Sequence, residues 1–155
     1  MARSTPAVPH VLVVEDEEIV RDVLAMVFTR EGFRTSYAAT VAEGLAGLSL
    51  RPTHVTLDLH LPDGQGTQVL RHVRQERLPV RVAVTTGTIE PGLLAAVSRL
   101  GPDQTFQKPF RPNDLVAWVR GPHRQAPHSR DVVTQRSAWV EPSSDLDENE
   151  TVVAP

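Results

Sequence analysis

No cysteine occurs among the 155 residues. That absence excludes disulfides, thiolate metal sites and thiol nucleophiles, and it agrees with a reducing compartment. Long hydrophobic runs are also missing, since nothing approaches the ~18 apolar residues of a membrane span. Met1 to His10 carry one Arg, two Pro and no apolar core, which is not the make-up of a secretory leader. There is no excess of one charge either. A formal net charge of -3 does not point to a dedicated nucleic-acid or membrane-surface binder. The six histidines show no paired metal spacing, and no internal repeat is present. A cytoplasmic protein without membrane contact is expected.

What is present is ordinary globular material. Hydrophobic residues make up 40% and charged residues 23%. The length suits one compact domain with a tail.

Along the chain, apolar runs alternate with helical periodicity. Val11 to Val14 is a short continuous run, suited to a strand buried on both faces, and it ends in the acids Glu15 to Glu18. Ile19, Val20, Val23, Leu24, Val27 and Phe28 then recur at helical spacing, with Gly32 in a C-cap position. Arg34 to Tyr37 is a candidate second strand. Thr40 and Glu43 form a capping box that opens a helix through about Leu50. Val55 to Asp58 reads as a third strand, Leu61 to Gly66 as a loop, and Val69 to about Gln75 as a helix. Val80 to Thr86 is a fourth strand. Pro91 opens a helix with Leu93, Leu94, Val97 and Leu100 on its buried face. Thr105 to Gln107 is a brief fifth strand before Lys108-Pro109, and Pro112 opens a last helix through about Val119.

This alternation predicts an α/β fold with a parallel sheet. Right-handed crossovers put all strand C-termini along one edge, where such sheets bind ligands. Residues 1–9 read as a disordered N-terminus, 10–120 as the domain, and 121–155 as a disordered polar tail. That tail holds arginines first and acids later, and too little apolar surface to offset the entropy of ordering.

The strand ends carry the chemistry. Glu15 and Asp16 follow the first strand, Asp58 closes the third, Thr86 the fourth, and Lys108 follows the fifth. Meeting at one edge, three carboxylates need a cation. Two unit charges 4 Å apart repel by roughly 4 kcal/mol at an effective dielectric of 20. A hard divalent ion with oxygen ligands relieves that, and Mg²⁺ commonly binds through one or two carboxylates with phosphate oxygens and waters. Phosphoryl transfer asks for positioning and charge neutralisation. An aspartate oxygen can act as nucleophile, Lys108 can pair with the phosphoryl group, and the Thr86 hydroxyl can donate to one of its oxygens. A lone Asp at a strand end is usually a turn acid, and Glu17 and Glu18 alone read as a solvated first helical turn that favours the helix dipole.

Taken together, the segments Val-Leu-Val-Val-Glu15-Asp16-Glu, Leu-Asp58-Leu-His-Leu-Pro62-Asp-Gly64-Gln-Gly66, Thr-Thr86-Gly87 and Phe-Gln-Lys108-Pro109-Phe110 resemble the signature segments of bacterial response-regulator receivers. The resemblance covers roughly His10 to Arg120. It implies a doubly wound, flavodoxin-like sheet of five parallel strands in the order 2-1-3-4-5. It also implies a role for each residue. Asp58 is the phosphoacceptor, Asp16 a direct Mg²⁺ ligand, Glu15 the holder of a metal-bound water, and His60 the donor of a backbone carbonyl to the metal. Thr86 hydrogen-bonds the phosphoryl group and moves toward it, while Lys108 pairs with the phosphate ahead of a peptide bond that is often cis.

Two positions depart from the family pattern. Glu15 stands where Asp is usual, which sets its carboxylate one methylene further out. Thr105 stands where Tyr or Phe is frequent, with Phe106 beside it.

The expectation is a stand-alone phosphoacceptor switch rather than a turnover enzyme. Its donor would be a histidine kinase or phosphotransfer protein, and its output contact with a target protein that the sequence does not name. Nucleic acid is not an expected partner. A phosphate-independent module of the same fold, a haloacid-dehalogenase-type phosphatase and a DNA-linked regulator using the basic part of the tail are the alternatives.

Overall fold

Each run read as a strand forms one in the computed structural model, which describes residues 7–122. The expected N-terminal and C-terminal disorder falls almost wholly outside those residues. Among them, no helix is long and apolar enough to cross a membrane.

In chain order the strands are β1 (His10–Val14), β2 (Arg34–Ala38), β3 (His54–Asp58), β4 (His60–Leu61), β5 (Gly64–Gln65), β6 (Arg81–Thr86) and β7 (Gln104–Gln107). The helices are α1 (Glu18–Arg30), α2 (Val41–Gly47), α3 (Thr67–Gln75), α4 (Pro91–Leu100) and α5 (Pro112–Arg120), with a 3₁₀ turn at Leu48–Leu50. The main sheet runs β2-β1-β3-β6-β7, and every neighbouring pair is parallel. With the small β4–β5 hairpin set aside, this is the expected order 2-1-3-4-5.

Every residue of β1, β3 and β6 is buried, as the continuous runs require when helices cover both faces. Leu12, Val14, Val55, Leu57, Val82 and Val84 face one way, against Val41, Val69, Val73, Leu93 and Val97. Val11, Val13 and Ala83 face the other, against Leu24, Phe28, Leu115, Val116 and Val119.

Helix ends follow local chemistry. Thr40 Oγ1 accepts from the Glu43 N–H at 3.1 Å, while Glu43 reaches back to the Ala39 N–H at 2.6 Å. At the end of α1, Phe33 N–H bonds Phe28 O and Gly32 N–H bonds Thr29 O, each at 3.0 Å. This is a Schellman closure, with Gly32 at φ 80.

Three expectations need correction. Ile19 is 79% exposed and Val23 38%, so the buried stripe of α1 is narrower than its periodicity suggests. Leu94 is likewise exposed on α4, where Leu93 and Val97 are buried. The loop after Asp58 contains the antiparallel β4–β5 pair. At its turn, Asp63 accepts from the Val41 and Ala42 N–H groups at 2.7 and 3.0 Å, capping α2 from 21 and 22 residues away.

Candidate functional site

β1, β3 and β6 end along one rim of the sheet, and the chain just beyond β7 reaches the same rim. Asp58 is the last residue of β3, in register with Thr85 on β6. The turn that follows is tight. Gly66 N–H donates to Leu59 O at 2.8 Å, and a Cβ on Gly66 would sit 2.0 Å from the Asp58 carbonyl oxygen. Only glycine fits so close an approach. At the other end of the site, Lys108 N–H donates to Thr86 O at 2.7 Å, tying the end of β7 to the end of β6. The Lys108–Pro109 peptide is cis.

Lys108 Nζ donates to Asp58 Oδ2 at 2.8 Å and to Glu15 Oε2 at 2.9 Å. Glu15, Asp16 and Asp58 each offer a carboxylate oxygen, and those atoms all lie within 4.8 Å of one another. Glu15 and Asp58 are only 2% and 5% exposed, while Asp16 is open to solvent. A pocket of about 410 Å³ opens over Asp16 and Asp58, lined also by Glu17, His60, Gly87, Thr88 and Lys108.

The electrostatics follow from burying more acid than base. Burial drives the Glu15 carboxyl up to about 7, and the nearby Asp58 adds to the rise, although Lys108 pulls against it. Burial also works against the charge on Lys108. Its hydrogen bonds to Asp58 and Glu15, together with their charges, outweigh that and raise its pKa above the ordinary value. One ammonium is therefore held firmly charged among carboxylates that it only partly compensates.

The other anticipated residues are close by. Thr86 is buried at the end of β6, and its Oγ1 accepts from the Thr88 N–H at 3.0 Å. Gly87 and Thr88, not Thr86, line the pocket. The exposed His60 lines it as well, and its N–H donates to Asp58 Oδ1 at 3.1 Å. Thr105 is exposed on β7, whereas Phe106 packs inward and meets Phe110 with ring centroids 6.2 Å apart.

Sequence reasoning passed over three residues. Glu17, read as a solvated helical acid, lies 3.8 Å from Lys108. Thr88 gives its N–H to Thr86, and its place two residues beyond Thr86 was the available signal. Arg21 Nη1 donates to the carbonyls of Glu15 and Asp16 at 2.7 and 2.8 Å, and nothing in the local pattern announces that.

Comparisons with known proteins agree with the fold. The family model described as the response regulator receiver domain matches residues 11–120. The photosynthetic apparatus regulatory protein RegA of Rhodovulum sulfidophilum is 34% identical over 110 residues, which is 70% of this chain and 60% of that protein. The KDP operon transcriptional regulatory protein KdpE of Escherichia coli is 34% identical over 112 residues, 72% of this chain and 49% of that protein. The chain thus spans between half and three fifths of the length of these curated relatives. Among solved structures, a CheY-like response regulator receiver domain protein from Methanospirillum hungatei superposes with a TM-score of 0.69 at 26% identity, covering 73% of this chain and 91% of that one.

Proposed function

The chain belongs to the response-regulator receiver family of two-component signalling, and on that premise we propose that Asp58 accepts a phosphoryl group from a histidine kinase or phosphotransfer protein. We take residues 10–120 as the unit that does so. One observation carries the reading: Lys108 bridges Asp58 and Glu15 at 2.8 and 2.9 Å, with Asp16 beside them at the mouth of the pocket.

The donor set suits Mg²⁺, because it consists of clustered hard oxygen ligands on an accessible rim. Asp16, Asp58 and the His60 carbonyl would hold the ion directly, and Glu15 through a water. When bound, the ion supplies positive charge against the carboxylates and the phosphoryl oxygens.

The protein's own groups do the rest. An Asp58 carboxylate oxygen forms the new P–O bond as the donor's P–N bond breaks, and the released electron pair returns to the donor imidazole nitrogen. Lys108 stays an ammonium and pairs with the transferred group. The Thr86 oxygen already accepts from Thr88, which leaves the hydroxyl hydrogen to donate to a phosphoryl oxygen. The added charge of about −1.5 to −2 draws Thr86 and Lys108 inward and biases an existing equilibrium around residues 86–88 and 108. The protein acts as a switch rather than by turnover, and its output is contact with another protein.

Intact-mass measurement after incubation with a small phosphodonor and Mg²⁺ tests this. The wild type gains one phosphoryl group and Asp58→Asn gains none. An unchanged wild-type mass favours a phosphate-independent binding module instead. A salt-dependent gel shift with duplex DNA, lost on truncation after Arg120, would point to DNA as the output.

A further inference from the structure

Between the last residue of β1 and the first of α1, the chain carries Glu15, Asp16 and Glu17 outside any regular element. Glu15 N–H donates to Ala38 O at 2.9 Å, and sheet pairing stops there. Glu17 occupies the cap position of α1 but makes no side-chain cap bond. The junction is held from inside the helix by Arg21. Its Nη1 donates to Glu15 O at 2.7 Å and to Asp16 O at 2.8 Å. Among the described residues Arg21 forms no ion pair, and the side-chain hydrogen bonds it makes, both through Nη1, go to these two carbonyls.

Those carbonyls belong to the two peptide planes on either side of the Asp16 Cα. Each plane is rigid, so holding both fixes the backbone angles at Asp16 and with them the direction of its Cα–Cβ bond. The donor is charged, which makes such bonds shorter and stronger than neutral ones. Asp16 is the one exposed member of the Glu15, Asp16 and Asp58 cluster, so burial does little to orient it. We infer that Arg21 is a positioning residue for the cation site, holding the Glu15–Asp16 backbone so that the Asp16 carboxylate is already aimed at the ion. The inference rests on reading Glu15, Asp16 and Asp58 as that site. Without Arg21 the segment samples more conformations, and binding an ion must then order it.

Mg²⁺ titration of the full chain by calorimetry, with unfolding midpoints in chelator and in Mg²⁺, tests this. Arg21→Ala is expected to weaken Mg²⁺ binding by about 10- to 100-fold, the usual cost of losing a group that orients a metal ligand. Arg21→Lys, which keeps a charged donor, recovers part of the affinity. The Mg²⁺-induced rise in midpoint shrinks in the same order. A merely structural role would lower the midpoint in chelator and leave the Mg²⁺ affinity of the folded protein unchanged. Should Arg21→Ala fail to fold, Arg21→Gln takes its place in the same titration. Affinity that is unchanged or tighter without Arg21, while Asp16→Asn abolishes binding, overturns the positioning role. Affinity unchanged in Asp16→Asn as well overturns the cation-site reading itself.

Discussion

The ammonium of Lys108 and the carboxylate of Asp58 are in hydrogen-bond contact at 2.8 Å, although they are 50 positions apart in the chain. Glu15, the first residue beyond the neighbouring strand β1, shares the same ammonium. Removing Lys108 therefore leaves two buried carboxylates facing each other. Lys108→Ala is expected to cost about 1–3 kcal/mol in Mg²⁺-free urea unfolding. That is less than the usual figure for breaking a buried pair, because Glu15 can take up a proton. Saturating Mg²⁺ should shrink the cost. An equal cost with and without Mg²⁺ would mean that the ion does not share these carboxylates.

The Glu15 carboxyl gives the metal-free protein a pH dependence of definite sign. Its folded value lies near 7, above the ordinary 4.5. Across that window the folded state binds more protons than the unfolded one, so stability falls as pH rises and levels off above about 7. Mg²⁺ needs the carboxylate ionised, so its affinity should climb through the same range with release of a proton. Thermal unfolding between pH 5 and 8, with and without Mg²⁺, reads both trends. Glu15→Gln should flatten each.

Gly66 and Gly92 form a matched pair for mutation. A methyl group on Gly66 would fall 2.0 Å from the Asp58 carbonyl oxygen, whereas on Gly92 its nearest neighbour is Glu90 Oε1 at 4.0 Å. Gly66→Ala should destabilise by about 1–3 kcal/mol, as overpacking does, and should slow phosphorylation by shifting the Asp58 backbone. Gly92→Ala, inside α4, should instead stabilise by about 0.5–1 kcal/mol. Chemical denaturation and the rate of mass gain distinguish the two.

Asp63 tests a contact outside the pocket. The Ala42 and Val41 N–H groups hold its carboxyl below the ordinary value. Its contribution is present above the unfolded pKa and is lost as pH falls through the lower folded one. Asp63→Asn should lower the unfolding midpoint at neutral pH and weaken the protein's sensitivity to acid. A midpoint unchanged at neutral pH would show that Thr40 alone suffices to cap α2.

The legible parts of this chain were those with a local period or a local partner. The continuous runs Val11–Val14 and Val80–Thr86 became buried strands because both sheet faces are covered. The Thr40 and Glu43 pair capped α2 because both partners lie within one turn. Periodicity told less about extent. Ile19, Val23 and Leu94 repeat at helical spacing, yet the sheet covers only part of each stripe. The β4–β5 hairpin has two residues per strand, too few for any period to show. The Asp63 cap joins α2 to a turn 21 and 22 residues away, and no local pattern encodes that bond.

By itself, the order of residues determined the alternation of strands and helices, the parallel sheet, and which acids and which lysine stand at strand ends. Only the tertiary structure decided their distances, the proton affinity of Glu15 and the hold of Arg21 on the acidic segment. The physical reason is that patterning acts over one or two turns, whereas burial and charge coupling depend on groups that the sheet brings together from distant positions.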